Sequence, residues 1–115
     1  MRHIESNLQI ACFSWFSLQY PQLKGFLFHI PNGGFRGKQE AIRFKCMGVT
    51  PGVADLFLMI PSKGFHGLFI EMKTDNGKMS DYQQLFCSRC TGVGYKYAIC
   101  RNLDQFMDEV LHYLK

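Results

Sequence analysis

The sequence predicts an α/β fold: a mixed β-sheet flanked by helices, in the order helix, strand, helix, strand, strand, helix, strand, helix. Three observations carry this. Short apolar runs of strand length lie at residues 26–30, 53–60, 68–73 and 95–100, bounded by Gly, Pro and Asn. Longer stretches with helical spacing alternate with them, which is the pattern of a sheet covered on both faces. At 115 residues, 47% of them hydrophobic, the chain suits one domain spanning 1–115 with a single core.

The elements follow in order. Residues 5–19 read as a helix, with Leu8, Cys12 and Trp15 at apolar spacing and Pro21 just beyond the end. Residues 26–30 read as a short strand, broken by Pro31, Asn32, Gly33 and Gly34. Residues 36–47 run from a loop into a second helix, closed by Gly48 as a left-handed cap. Two strands follow, at 53–60 and 68–73, joined by the turn-like 61–66. After the polar turn 74–78, Ser80 starts a helix, and Ser80 with Gln83 fits a capping box. Gly92 ends that helix, and 95–100 form the last strand. Asn102 caps a final helix, with Leu103, Phe106, Met107, Val110, Leu111 and Leu114 on its apolar face.

Asp55, Glu71 and Lys73 stand out because they interrupt two apolar strands. Charges there are costly unless they are paired or bind a metal. Strand side chains alternate faces, so Glu71 and Lys73 share one face while Leu68, Ile70 and Met72 take the other. A hairpin brings Asp55 next to Glu71. Two carboxylates and a lysine converging at a sheet suit a divalent cation beside a phosphate. The plain alternative is a structural ion-pair cluster.

This arrangement resembles the PD-(D/E)XK nuclease superfamily, in which an Asp is followed, after a hairpin, by Glu-x-Lys. The fuller resemblance, over nearly the whole chain, is to the VRR-NUC family. It is carried by Glu5 and Gln9, by His29-Ile30-Pro31-Asn32-Gly33-Gly34, by Gly48-Val49-Thr50-Pro51-Gly52-Val53-Ala54-Asp55, by Phe69-Ile70-Glu71-Met72-Lys73, and by Gly77-Lys78-Met79-Ser80-Asp81-Tyr82-Gln83. Ala54 stands where the family usually has Pro. The resemblance implies a restriction-endonuclease-like core and a Mg²⁺- or Mn²⁺-dependent endodeoxyribonuclease. It implies that Asp55, Glu71 and the backbone carbonyl of Met72 hold the metal, with Glu5 near it through water. Lys73 then positions the attacking water or stabilises developing charge, and Gln83 helps to place water or phosphate.

Several of these residues have a second reading. Glu5 in the first turn of a helix is favourably placed at the positive end of its dipole. Gln83 as a capping-box residue bonds the backbone at Ser80. Asn32, in a stretch that borders the family site, is a DNA-contact candidate and equally a turn residue. Lys38, Arg43 and Lys78, with Lys45, are candidate phosphate contacts and equally solvated surface charge. His29 lies near the Asn32 turn, where it either approaches phosphate or is simply hydrogen-bonded. His3, His66 and His112 are scattered and have no evident nucleophile partner.

Composition narrows the rest. The net charge of +4 suits an anionic partner. Five cysteines without a framework indicate reduced thiols and an intracellular, cytoplasmic setting in a bacterium or a phage-infected cell. Cys87 and Cys90 lack a second pair for zinc and fall inside a helix rather than at its start, so they read as buried or half-buried thiols. The apolar run 10–18 follows Glu5, Asn7 and Gln9 and lacks a cleavage site, so it is not a signal peptide. No run is long enough to span a membrane. Small VRR-NUC proteins resemble Holliday-junction resolvases in size and core. The expected partner is therefore branched DNA, bound by a homodimer, with Phe13, Trp15, Phe16 or the last helix at the interface. The alternatives are a nickase or flap-type nuclease, and an inactive nucleic-acid-binding module.

Overall fold

The computed structural model describes residues 3–31 and 37–115. Four strands form one sheet: β1 (Leu27–His29), β2 (Leu56–Leu58), β3 (Leu68–Met72) and β4 (Lys96–Cys100). They lie in the order β1-β2-β3-β4, with β1/β2 and β2/β3 antiparallel and β3/β4 parallel. A parallel pair needs a crossover, and α3 (Asp81–Gly92) supplies it between β3 and β4. The other helices are α1 (His3–Gln19), α2 (Lys38–Cys46) and α4 (Leu103–Leu114), with a short 3-10 turn at Pro21–Leu23. The predicted mixed α/β order is therefore present.

Alternation along the strands divides the sheet into two unlike faces. Leu27, Leu56, Leu58, Leu68, Ile70 and Met72 point to one face and pack, fully buried, against Cys12 and Phe16 of α1 and Phe106, Val110 and Tyr113 of α4. The opposite face carries an aromatic row in register across all four strands: Phe28, Phe57, Phe69 and Tyr97. Phe57 and Phe69 stack with centroids 4.4 Å apart, and Phe86 of α3 meets Phe69 edge-on at 5.0 Å. The charged residues of the two central strands belong to this second face, one residue pair beyond the aromatic row.

Four expectations change in detail. The strands predicted at 26–30 and 53–60 shrink to three residues each. Asp55 precedes β2 because its carboxylate, not its backbone, takes the hydrogen bond from β3. The basic helix α2 has no buried residue, and Ile42 is exposed, so it covers neither face of the sheet as a core element. On α4 the buried stripe is Phe106, Val110 and Tyr113, with Leu103 and Leu114 packed at its edge, while Leu111 is exposed. Tyr113 enters the core because its hydroxyl donates to the Ile60 carbonyl at 2.6 Å, which satisfies the polar end of an otherwise apolar ring. All five cysteines are free thiols; Cys12, Cys90 and Cys100 are buried, Cys87 is half-buried and Cys46 is exposed.

Candidate active site

Asp55 is placed by its neighbours on three sides. Its backbone carbonyl accepts from the Ile30 N–H at 2.9 Å and from the His29 ring, whose Nδ1 lies 2.8 Å away. Its carboxylate Oδ2 accepts from the Met72 N–H at 2.7 Å. The loop before it is held by Gly52, which has φ +86° and sits so close to α3 that a Cβ there would lie 2.4 Å from the Tyr82 carbonyl carbon and oxygen. No L-residue fits that approach unstrained. The contact joins the Asp55 loop to the first turn of α3, where Gln83 sits.

Glu71 lies on β3 and is 3% exposed. The pairing of Leu56 with Ile70 sets Asp55 opposite Glu71. Burial above all, and next the charge of Asp55, push the Glu71 carboxyl from 4.5 up to about 8; Lys73 opposes the rise, while a hydrogen bond with Asp55 and the charge of Glu5 add to it. The Lys73 ammonium lies 4.0 Å from Glu71 Oε2.

Gln83 forms the predicted cap and also contacts Glu71. Its backbone N–H donates to Ser80 Oγ at 3.2 Å, and its Oε1 accepts from the Ser80 N–H at 2.9 Å, which completes the capping box. Its Nε2 then donates to Glu71 Oε2 at 2.9 Å. An amide has one accepting end and one donating end, so the cap fixes which end meets the carboxylate.

Asp55, Glu71, Lys73 and Gln83 thus come together as the sequence predicts. Met72 joins them through its backbone. The Lys73 N–H points to β4, bonding the Cys100 carbonyl at 3.1 Å, whereas the Met72 N–H points to Asp55. In an extended strand the N–H and C=O of one residue point the same way, so the Met72 carbonyl is directed to the Asp55 side. Glu5 is near enough for its charge to act on Glu71 but makes no hydrogen bond to it: it is exposed in the first turn of α1, on the rim of a cleft of about 800 Å³ that it shares with Leu8, Thr74, Asp75, Asn76 and Arg101. Asp55 and Glu71 do not line that cleft. Among the described residues no three His, Cys, Asp or Glu side chains converge. Lys38, Arg43 and Lys78 are exposed. Asn32 lies outside the described residues.

Sequence reasoning missed Arg101. Its guanidinium Nη1 donates to the carbonyls of Thr74 at 2.8 Å and Gly77 at 2.7 Å, and so closes the turn that follows Lys73. The signal was slight: an arginine at the end of β4, beside the end of β3 in the parallel register.

The donor set fits a hard divalent cation. Two facing carboxylates supply only oxygen, as Mg²⁺ or Mn²⁺ prefers. Glu71 Oε1 is buried without a hydrogen-bond partner among the described residues, which leaves it as an acceptor for a cation.

The family profile of the VRR-NUC domain matches residues 5–103. A solved structure named VRR_NUC domain protein superposes with a TM-score of 0.84 and 26% sequence identity, covering 96% of this chain and 87% of that one. No curated protein sequence matches significantly. No helix among the described residues is long and apolar enough to cross a membrane. The match from Glu5 to Leu103 includes Asp55, Glu71, Lys73 and Gln83, and the chain belongs to the VRR-NUC family, nucleases of the restriction-endonuclease-like superfamily.

Proposed function

We propose that this chain is a metal-dependent endodeoxyribonuclease that hydrolyses phosphodiester bonds in branched DNA. The observation that carries the reading is the facing pair Asp55 and Glu71, with Glu71 buried, Asp55 half-buried and a lysine 4.0 Å from Glu71 Oε2. A purely structural ion pair needs one carboxylate here, not two.

Asp55, Glu71 and the Met72 carbonyl would hold Mg²⁺ or Mn²⁺, with Glu5 acting at longer range through water. A divalent ion in such a site lowers the pKa of water and polarises a phosphoryl oxygen. The chain's own residues do the rest. Lys73 places a positive charge beside Glu71 Oε2, where it orients the attacking water and stabilises charge developing on the phosphate. Gln83 fixes Glu71 through one hydrogen bond and is itself fixed by the capping box, so the carboxylate is pre-oriented. His29 holds the Asp55 backbone from the neighbouring strand. Lys38, Arg43 and Lys78 offer exposed positive charge for the DNA backbone, and Asn32 is a DNA-contact candidate by the family motif alone.

The choice of branched DNA rests on symmetry. Resolving a junction takes paired incisions, and a homodimer with two-fold symmetry presents two matched sites. The interface candidates narrow on α1. Phe16 is in the core, and Trp15 packs edge-on against Tyr20 and Phe106, whereas Ile10, Phe13 and Leu18 are exposed.

Cleavage of labelled four-way junction, flap and linear duplex with Mg²⁺ or Mn²⁺ tests the proposal. Junction cleavage that stops in excess chelator is expected. Asp55→Ala and Glu71→Ala should abolish it while the fold is kept. Metal-independent cutting, or full activity in either variant, refutes the metal role. Preferential cutting of flaps or nicked duplex assigns the chain to repair instead. DNA binding without any cleavage leaves a binding module.

A further inference from the structure

Arg101 closes the turn that follows Lys73 and makes no contact with Asp55 or Glu71 among its hydrogen bonds. It stands at the end of β4, just before the N-cap Asn102 of α4. One nitrogen, Nη1, donates to the Thr74 carbonyl at 2.8 Å and the Gly77 carbonyl at 2.7 Å, with the Asp75 carbonyl at 3.4 Å. Its backbone N–H is in turn held by Gln105 Oε1 of α4 at 2.7 Å. Charge-assisted bonds to carbonyls are stronger than neutral ones. The arginine therefore ties the turn 74–77 to the β4–α4 junction.

That turn supports Lys73 from behind. A Cβ at Gly77 would lie 3.2 Å from Lys73 Cδ, so the bare Gly77 backbone lies directly against the lysine stem. The Lys73 backbone is already fixed by Cys100, but a lysine side chain has four rotatable bonds, and backbone placement alone does not aim its ammonium. Packing along the stem restricts that freedom. A chain of contacts thus runs from Arg101 through the Gly77 backbone to the Lys73 methylenes and so to the ammonium beside Glu71.

We propose that Arg101 is a positioning residue for Lys73: by holding the turn 74–77 it presses Gly77 against the lysine stem and keeps the ammonium at Glu71. Arg101 does so without touching the DNA. This deepens the nuclease reading, and it rests on the role given there to Lys73.

Two measurements test it on the full chain. The first needs no activity. With neither metal nor DNA present, the Lys73 Cε–Hε NMR signal, assigned by its loss in Lys73→Arg, should shift in Arg101→Ala and shift less in Arg101→Lys, whose ammonium still reaches the turn carbonyls. An unmoved signal overturns the inference even in a protein that cuts nothing. The second is kinetic. Arg101→Ala should lower the single-turnover cleavage rate about tenfold or more while junction affinity, measured with Ca²⁺, stays within about twofold. Arg101→Lys should recover part of the rate. Gly77→Ala, which leaves Arg101 intact but crowds Lys73 Cδ, should lower the rate in the same way. Affinity that falls with the rate makes Arg101 a phosphate anchor and overturns the proposal, as does a wild-type rate in Arg101→Ala. An inactive wild type with a shifted Lys73 signal leaves the positioning contact intact and refutes the nuclease reading alone.

Discussion

Replacing Glu71 by Gln keeps the shape of the site and removes one of its two carboxylates. In the metal-free protein Glu71 holds its proton up to about pH 8, against an ordinary value of 4.5. Between those values the folded chain binds a proton that the unfolded chain has released, so raising the pH through this window favours unfolding. One pKa unit corresponds to about 1.4 kcal/mol, so the whole window costs the metal-free protein at most about 5 kcal/mol. In chelator, the urea midpoint of the wild type should therefore fall between about pH 5 and pH 8.5, by roughly 1–2 M if about 3 kcal/mol is lost. Glu71→Gln should show little slope and should exceed the wild type at the upper end. Its amide oxygen can still accept from Gln83, and its amide nitrogen faces Asp55. Mg²⁺ at high pH should restore the wild type and not the variant, because a cation binds the ionised carboxylate. Parallel midpoint curves for the two proteins would show that Glu71 ionises freely, and the argument for a charge-crowded metal site would collapse.

Three further outcomes follow from the same geometry. Lys73→Ala should lose most single-turnover rate and keep most DNA affinity; lost affinity with surviving cleavage at saturating enzyme would make Lys73 a phosphate anchor. Gly52→Ala forces a methyl to within 2.4 Å of the Tyr82 carbonyl at φ +86°. It should destabilise the fold by about 2 kcal/mol or more in urea titration, and cleavage should fall in the fraction that remains folded. Light scattering at micromolar concentration should give the mass of a dimer, and a junction should be cut faster than linear duplex; a monomer cutting both equally removes the resolvase reading.

The fold and the central site were legible because both rest on patterns that chain order preserves. Alternation put Ile70 and Met72 on one face and Glu71 and Lys73 on the other, and the observed faces agree. The capping box was legible for the same reason, since Ser80 and Gln83 are three residues apart. Strand ends were less legible. The apolar run 53–60 suggested a long strand, but Asp55 bonds β3 through its side chain, and the ladder begins only at Leu56. On α4, composition favoured Leu111 over Tyr113. A buried phenol depends on a distant acceptor, here the Ile60 carbonyl, and no local pattern announces one.

Gln83 and Arg101 show where sequence reading stops. For Gln83 the sequence offered two compatible readings, a cap and a site residue, but not how one side chain serves both. The folded chain makes them one device: the cap occupies Oε1, which leaves Nε2 for Glu71. Ser80→Ala removes only the Oγ that accepts from the Gln83 backbone N–H; the Ser80 N–H that holds Oε1 stays, so the Glu71 contact should survive a weakened cap. Arg101 is the opposite case, since its partners are backbone carbonyls some 24 to 27 residues away. Any residue type can supply a carbonyl, so the contact leaves no trace in the identities at 74–77 apart from Gly77, whose missing side chain makes room for Lys73. The carboxylates of this site are written in the sequence as residue types. Their orientation, and that of the lysine beside them, is held largely by hydrogen bonds through the backbone, which only the folded chain displays.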